Sequence, residues 1–127
     1  MTALRLKNLL IYSLVLAAGL AAGSGVAKLP KLFERPYQQG NYTSHFVDHN
    51  EVVIYGTTTC PYCARAREFL TAKGVKYADF NIDVSDEARK KYASLNVKAV
   101  PAILIGDRMI SGFRPDVIED ALTKISR

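Results

Sequence analysis

A pair of cysteines three positions apart, between an apolar run and an amphipathic one, most constrains how this chain can fold. They lie in VVIYGTTTCPYCARAREFL, residues 52–70, and Cys60 and Cys63 are the only cysteines in the chain. Two cysteines cannot supply a disulfide framework, and a C-x-x-C between a strand and a helix favours redox chemistry. A static disulfide is one alternative.

A zinc site is the other alternative for the cysteine pair. His45 and His49 are spaced i, i+4 and, with Cys60 and Cys63, would complete a four-ligand set. That set requires the polar residues before the first strand to fold back over the cysteines. We therefore expect the histidines at the surface and no bound metal.

The first 27 residues differ in composition from the rest. Twenty uncharged residues separate Lys7 from Lys28, enough for a helix to cover a bilayer core of about 30 Å. A basic start and small residues near the end also fit an export signal. Residues 1–27 are thus expected to be a single-helix membrane anchor or a signal peptide, and a buried core helix is the alternative. Flanking charges nearly balance, and we favour the periplasmic or extracytoplasmic side for the domain.

The net charge of the residues after the first 27 does not indicate a polyanionic partner. The net charge of +5 falls to +3 without Arg5 and Lys7, and the chain contains no arginine-rich run. We therefore expect no nucleic-acid partner. Residues 28–50 mix Pro, Gly, Gln, Asn and Ser with little periodicity and are expected to form a tether.

Alternating periodicities predict an α/β domain over residues 51–127. The expected order is β-α-β-α-β-β-α, with helices on both faces of a small mixed four-stranded sheet. The first strands are parallel, and the last two form a hairpin turned at Gly106-Asp107. The predicted strands are Val52–Tyr55, Lys76–Ile82, Ala102–Ile105 and Arg108–Ile110. Helices are predicted from about Pro61, from Ser85 and from about Pro115.

Three motifs in this order resemble the thioredoxin superfamily and, within it, the glutaredoxins. They are CPYC at residues 60–63, VP at Val100-Pro101 and SGF at residues 111–113. The resemblance implies a thioredoxin-like fold and a thiol–disulfide oxidoreductase. It also implies that Pro101 is a cis-proline facing the cysteines, so that the Val100 backbone can pair with a bound peptide or glutathione.

Cys60 is the predicted nucleophile, because the N-terminus of the following helix stabilises a negatively charged sulfur. Cys63, one turn further on, is the predicted resolving cysteine, and the two would close a redox-active Cys60–Cys63 disulfide. Tyr62 offers an aromatic edge to an incoming substrate. The family resemblance adds Thr57, Gly112, Phe113 and Arg114 to the expected substrate or glutathione contacts.

The chain departs from a glutaredoxin at several of these positions. Thr57 replaces a common lysine, Ala99 replaces a common threonine, and Arg114 and Pro115 stand where acids usually hold the glutathione amino group. The segment SGFRPD resembles instead the redoxins that donate electrons to ribonucleotide reductase and are reduced by thioredoxin reductase.

The expected substrates are disulfide-containing or glutathionylated proteins. The expected reductant is glutathione, as a co-substrate, or a protein similar to thioredoxin reductase, with no tightly bound cofactor. An iron–sulfur cluster carrier is a further alternative, because some glutaredoxins hold such a cluster between two subunits.

Overall fold

The computed structural model describes the backbone of residues 2–26 and 35–127, and the side chains of residues 5–18 and 35–127. Residues 36–127 form one compact unit, and the residues before them belong to a second. In the latter, helix α1 spans Thr2–Val26, and its described side chains are exposed. No helix among the described residues is long and apolar enough to cross a membrane. The side chains of the expected anchor or signal over 1–27 are described only in part, and residues 28–34 of the predicted tether lie outside the described residues.

The compact unit is a mixed sheet with helices on both faces. Its strand order is β1-β5-β4-β2-β3; β2 and β3 are parallel and every other pair is antiparallel. The predicted element order from residue 51 onward is confirmed. The elements are β1 Gln38–Gln39, β2 Val52–Gly56, α2 Pro61–Ala72, β3 Ala78–Asn81, α3 Asp86–Ser94, β4 Ala102–Ile105, β5 Arg108–Ser111 and α4 Pro115–Ile125.

Helix boundaries follow from local chemistry. Pro61 occupies the first turn of α2, where a missing N–H costs nothing. The Ser85 hydroxyl accepts a hydrogen bond from the Ala88 N–H and so caps α3. Gly74 has a φ of +69°, a left-handed conformation that glycine adopts readily, and the chain leaves α2 there. These three signals fix where α2 begins and ends and where α3 begins.

Two clusters of buried side chains pack against the two faces of the sheet. The aliphatic cluster lies under α2 and α4. Its members are Val52, Ile54, Ala66, Leu70, Ile103, Ile105, Ile110, Val117, Ile118 and Ala121. The aromatic cluster lies on the other face, with α3 and the residues before β2. Its members are Val53, Tyr55, Leu95, Ala102, Leu104 and Met109, with Tyr42, Phe46, Ala78, Phe80, Ile82, Tyr92 and Val97 packed around them.

The expectation of four strands is wrong, because the sheet has a fifth. β1 pairs with β5 through Gln38 and Gln39, two residues of the segment expected to be a tether. The Gln39 side-chain amide donates to the Asp107 carboxylate at 2.6 Å, and the Gly40 N–H donates to the Asp107 carbonyl at 2.9 Å. Residues 36–50, here called the arm, thus lie against the sheet edge and the aromatic cluster.

One histidine of the arm is buried, which corrects the expectation that both histidines lie at the surface. His45 is only 7% exposed, and its Nδ1 lies 2.9 Å from the Tyr55 hydroxyl. His49 is exposed as expected. Burial and the nearby positive charge of Lys91 lower the pKa of His45. His45 is therefore part of the aromatic face of the domain.

Candidate active site

Cys60 lies at the N-terminus of α2 and caps it. Its sulfur accepts a hydrogen bond from the Cys63 N–H at 3.2 Å, because Cys60 has extended backbone angles at the N-cap position. The first backbone N–H groups of a helix point at such a sulfur and favour its negative form. Cys60 is partly exposed. It is therefore the cysteine that a disulfide in solution can reach.

Cys63 is fully buried one helical turn further on. Burial, followed by its interaction with the Cys60 sulfur, raises the pKa of Cys63 to about 11. A hydrogen bond from the Thr57 backbone and the charge of Arg67 act in the opposite direction. Both cysteines are free thiols here. The two sulfurs are thus differentiated, one accessible and the other enclosed.

The loop before β4 faces Cys60. The Val100–Pro101 bond is cis, as the family resemblance implied, and Pro101 is buried. The Val100 carbonyl oxygen lies 3.9 Å from Cys60 Sγ. Gly112 donates its backbone N–H to the Pro101 carbonyl at 2.8 Å and has a φ of +80°. The structure therefore brings the CPYC, VP and SGF motifs together at one end of the sheet.

The other predicted contact residues surround this centre at varying depth. Tyr62 is 57% exposed, and the Arg65 guanidinium lies 5.7 Å from its ring centre. Thr57 is half-buried behind the cysteines. Phe113 packs edge-to-face against Phe69, with ring centres 5.8 Å apart.

Arg114 is the exposed N-cap residue of α4, so its charge faces solvent. Tyr62 and Arg114 are therefore accessible to a partner, whereas Phe113 is largely a packing residue of the aliphatic side.

Sequence reasoning missed a network that holds the loop before Cys60. The Asn81 side-chain amide donates to the Thr58 hydroxyl at 2.7 Å, and its oxygen accepts from the Asp83 N–H at 2.9 Å. The Asp83 carboxylate in turn accepts from the Thr58 N–H at 3.3 Å. The only sequence signal was the position of these polar residues at the ends of two consecutive strands: Thr58 follows the buried strand β2, and Asn81 and Asp83 lie at and after the end of β3.

Sequence reasoning also missed Arg67, which lies close to the buried thiol. Arg67 follows Cys63 by one turn on the same face of α2, a spacing that could have revealed it. Its guanidinium makes two hydrogen bonds to Asp79 on β3, at 2.7 and 3.1 Å. A methyl group on Gly56 would lie 3.0 Å from Cys63 Sγ and 3.2 Å from Arg67 Nη2. Gly56 therefore allows both groups to approach β2.

The described residues contain no group of three or more His, Cys, Asp or Glu side chains arranged to hold a metal ion. His45 points its Nδ1 at Tyr55, so the four-ligand alternative does not form around the cysteines in this structure.

Comparisons with known proteins agree with this geometry. The Glutaredoxin family model matches residues 52–110. A glutaredoxin-like 8.6 kDa protein encoded in the rubredoxin operon of Clostridium pasteurianum is 32% identical over 74 residues, a match that covers 58% of this chain and 99% of that protein. This chain belongs to the glutaredoxin family.

Two further relatives extend the comparison. A probable glutaredoxin of Synechocystis, slr1562, is 41% identical over 64 residues, covering 49% of this chain and 59% of the relative. The crystal structure of the glutaredoxin-like NrdH-redoxin from Escherichia coli superposes with a TM-score of 0.51 at 28% identity, covering 54% of this chain and 91% of that one. The domain is thus a thioredoxin-like fold and a thiol–disulfide oxidoreductase of glutaredoxin type.

Proposed function

We propose that this glutaredoxin reduces disulfides of protein substrates through two successive exchanges at Cys60 and Cys63. In the first, the Cys60 thiolate attacks a substrate disulfide; a Cys60–substrate disulfide forms and the other substrate sulfur leaves as a thiolate. In the second, the Cys63 thiolate attacks Cys60 Sγ, and the remaining substrate thiolate departs. The substrate gains two electrons, and the Cys60–Cys63 disulfide that forms must be reduced again.

One observation carries this proposal. Cys60 caps α2 with its sulfur partly exposed, while Cys63 Sγ is enclosed one turn away, and the backbone of Val100 faces the exposed sulfur. Only Cys60 can meet a substrate disulfide, and Cys63 can react only with the Cys60 sulfur. The Val100 peptide group lies beside the nucleophile and just before the first paired residue of β4, a place that suits the pairing of an extended substrate chain.

The reductant is the finer part of the proposal. A glutathionylated substrate would leave glutathione on Cys60, and a second glutathione would then release it as the oxidised dimer. Loss of a charge-assisted hydrogen bond typically costs about 1.5 to 3 kcal/mol, or one to two powers of ten in affinity. Because Thr57 and Arg114 lack the charges that glutaredoxins commonly use there, we propose that glutathione is a weak co-substrate.

A second candidate is a redoxin reduced by a protein of the thioredoxin reductase type. The exposed Arg114 supports it, because a cation at the start of α4 suits an acidic protein surface better than the amino group of glutathione. The Escherichia coli NrdH-redoxin, described by its structure as having a thioredoxin-like activity profile, is a relative of similar fold.

A coupled assay on the full chain separates the two reductants. Reduction of a protein disulfide is followed either with glutathione, glutathione reductase and NADPH, or with thioredoxin reductase and NADPH. We expect turnover with the protein reductant and a high KM for glutathione. Efficient turnover with glutathione alone would contradict the weak-glutathione proposal, and activity retained by Cys60→Ser would contradict the proposed chemistry.

Charge reversal at the start of α4 tests the role of Arg114. We expect Arg114→Asp to lower the KM for glutathione about ten-fold, the effect of one charge-assisted contact. Lys124→Asp, the same charge change at the other end of α4, is the matched control and should leave that KM unchanged. An equal response of both variants would assign the effect to net charge.

An iron–sulfur cluster shared between two copies of the chain is a further alternative, for which Cys60 would be the ligand from each copy because Cys63 is enclosed. No step is assigned to a cluster, and colourless purified protein is the expected result.

We also propose that residues 1–27 direct the domain to or across a membrane, as a signal or an anchor. The support is the uncharged run between Lys7 and Lys28. Fractionation of cells that express the full chain tests this placement, and recovery in the cytosol would overturn it.

A further inference from the structure

A charged group lies close to the buried thiol of Cys63. The Arg67 guanidinium and Cys63 Sγ both lie within 3.2 Å of the position that a Gly56 side chain would occupy. The two groups are therefore at most about 6 Å apart, although no hydrogen bond joins them. Arg67 is 24% exposed, so solvent screens its charge only partly.

Arg67 is fixed in this place by two elements. It leaves α2 one turn after Cys63, and both hydrogen bonds to Asp79 hold its planar head against β3. A bidentate arginine–carboxylate pair has a defined geometry as well as an attractive energy. The position of the charge is thus set by the fold.

We propose that Arg67, held in place by Asp79, stabilises the thiolate of Cys63 during the second exchange. The inference rests on the proposed function, in which that thiolate attacks the Cys60–substrate disulfide. Cys63 first loses a proton to solvent, its sulfur bonds to Cys60, the Cys60–substrate bond breaks, and the departing thiolate takes up a proton. Arg67 does not touch the substrate in this scheme and is a positioning residue.

The electrostatic surroundings of Cys63 support this role. Burial opposes loss of the proton, and the Arg67 charge is among the influences that lower the pKa of this thiol. The ionisable groups that face Cys63 in the described part of the chain are Cys60 and Arg67 on α2, Tyr92 on α3, and Asp79 behind Arg67. Arg67 is the one cation in that set.

The two exchanges can be timed in a single experiment on the full chain. Dithiobis(nitrobenzoate), an aromatic disulfide, releases one coloured thiolate when Cys60 attacks and a second when Cys63 closes the internal disulfide. The first phase scales with reagent concentration, whereas the second does not. Stopped-flow absorbance over a pH series therefore reports on each cysteine separately.

We expect Arg67→Met to slow the second phase about three-fold at neutral pH and to leave the first phase unchanged. Loss of the positive charge raises the pKa of Cys63. Each unit of such a rise lowers the thiolate fraction about ten-fold, and the greater nucleophilicity of a more basic thiolate offsets part of that loss. The pH profile of the second phase should move to higher pH. Arg67→Lys, which keeps the charge, should restore most of the rate.

Lys73→Met is the matched control. Lys73 is the C-cap residue of the same helix and pairs with Glu119 at 2.6 Å, so its removal also deletes a cation and an ion pair. Both phases should be unaffected. Should Arg67→Met not fold, Arg67→Gln provides the same comparison with Arg67→Lys.

An unchanged second phase and pH profile in the uncharged variants, or equal slowing of both phases, would overturn the role of Arg67. Absence of any concentration-independent phase in the wild type, or its persistence in Cys63→Ser, would instead overturn the proposed function, and this inference with it.

Discussion

The two faces of the sheet are packed by different chemistry. The aliphatic cluster contains no polar atom in its side chains and fixes α2, the helix that carries the cysteines. The aromatic cluster contains Tyr55, stacked on Phe80 with ring centres 5.3 Å apart, and abuts the buried His45 of the arm. The members of the aliphatic cluster make apolar contacts alone, with the Arg108–Asp120 ion pair at 2.6 Å linking β5 to α4 beside them, whereas the aromatic cluster includes a buried hydroxyl that contacts His45.

This difference matters for the position of the reactive groups. Leu70 and Ala66 anchor the same helix whose first turn presents Cys60 and Cys63. On the opposite face, Tyr92 of α3 donates to the Ala99 carbonyl at 3.2 Å and so holds the loop that precedes the cis-proline. The aliphatic face therefore places the sulfurs, and the aromatic face places the peptide group opposite them.

The largest expected change in the free energy of unfolding comes from a substitution in the aliphatic cluster. Leu70 is fully buried, and Leu70→Ala should lower the free energy of unfolding by about 3 kcal/mol, because it removes apolar contacts and leaves a cavity. Urea titration followed by circular dichroism measures the change. Leu122→Ala, at a half-buried position of α4, should cost less than half as much; an equal loss would show that Leu70 is not central to the packing.

Crowding the aliphatic face where it meets the cysteines should have the next largest effect. Gly56→Ala places a methyl group 3.0 Å from Cys63 Sγ and should cost about 2 kcal/mol, as overpacking usually does. It should also slow the closure of the internal disulfide, because Cys63 and Arg67 are both displaced. If Gly56→Ala is less stable but closes the internal disulfide at the wild-type rate, the added methyl group affects the packing and not the reaction of Cys63.

A smaller effect is expected on the aromatic face. Tyr55→Phe keeps the stacked ring but leaves His45 Nδ1 without its partner, so it should lower the free energy of unfolding by about 1 kcal/mol. Tyr77→Phe is the matched control, since the Tyr77 hydroxyl lies 3.3 Å from the Thr71 hydroxyl at an exposed position. Similar losses of unfolding free energy in both variants would show that the buried His45–Tyr55 contact contributes no more than the exposed one.

The smallest expected effect is a pH dependence confined to the aromatic face. The pKa of His45 is lowered by burial, so the folded protein binds this proton less readily than the unfolded chain. The resulting stability is present above the unfolded pKa of about 6.5 and is lost as pH falls through the folded value.

The difference in unfolding free energy between the wild type and His45→Gln, measured at a series of pH values, isolates this contribution. The wild type should lose stability relative to the variant below about pH 6.5. Parallel pH curves for the two proteins would contradict the assignment.

The elements with regular patterns could be predicted from the sequence. Strands and helices from Val52 onward follow from apolar periodicity and from caps such as Ser85 and Pro61, and these elements formed. The arm could not be predicted in this way. β1 consists of two glutamines that carry no alternation, and its position depends on a sheet edge formed by residues about seventy positions later.

The site was only partly predictable for the same physical reason. Cys60, Cys63 and Pro101 lie in short sequence motifs whose residue types and spacing indicate their chemical roles. The contact of Arg67 with Asp79, and its approach to Cys63 across Gly56, depend on α2 packing against β2 and β3. Residue spacing could have placed Arg67 on the same helix face as Cys63, but it could have identified neither its partner Asp79 nor the space left by Gly56.

β1 also has a practical consequence for how this protein can be shortened. The family match begins at residue 52, yet a truncated chain that starts there would leave the β5 edge without its partner strand. Exposed strand edges recruit other chains, so such a fragment should self-associate. The compact unit begins at Pro36, so a fragment that starts there keeps β1 paired with the β5 edge.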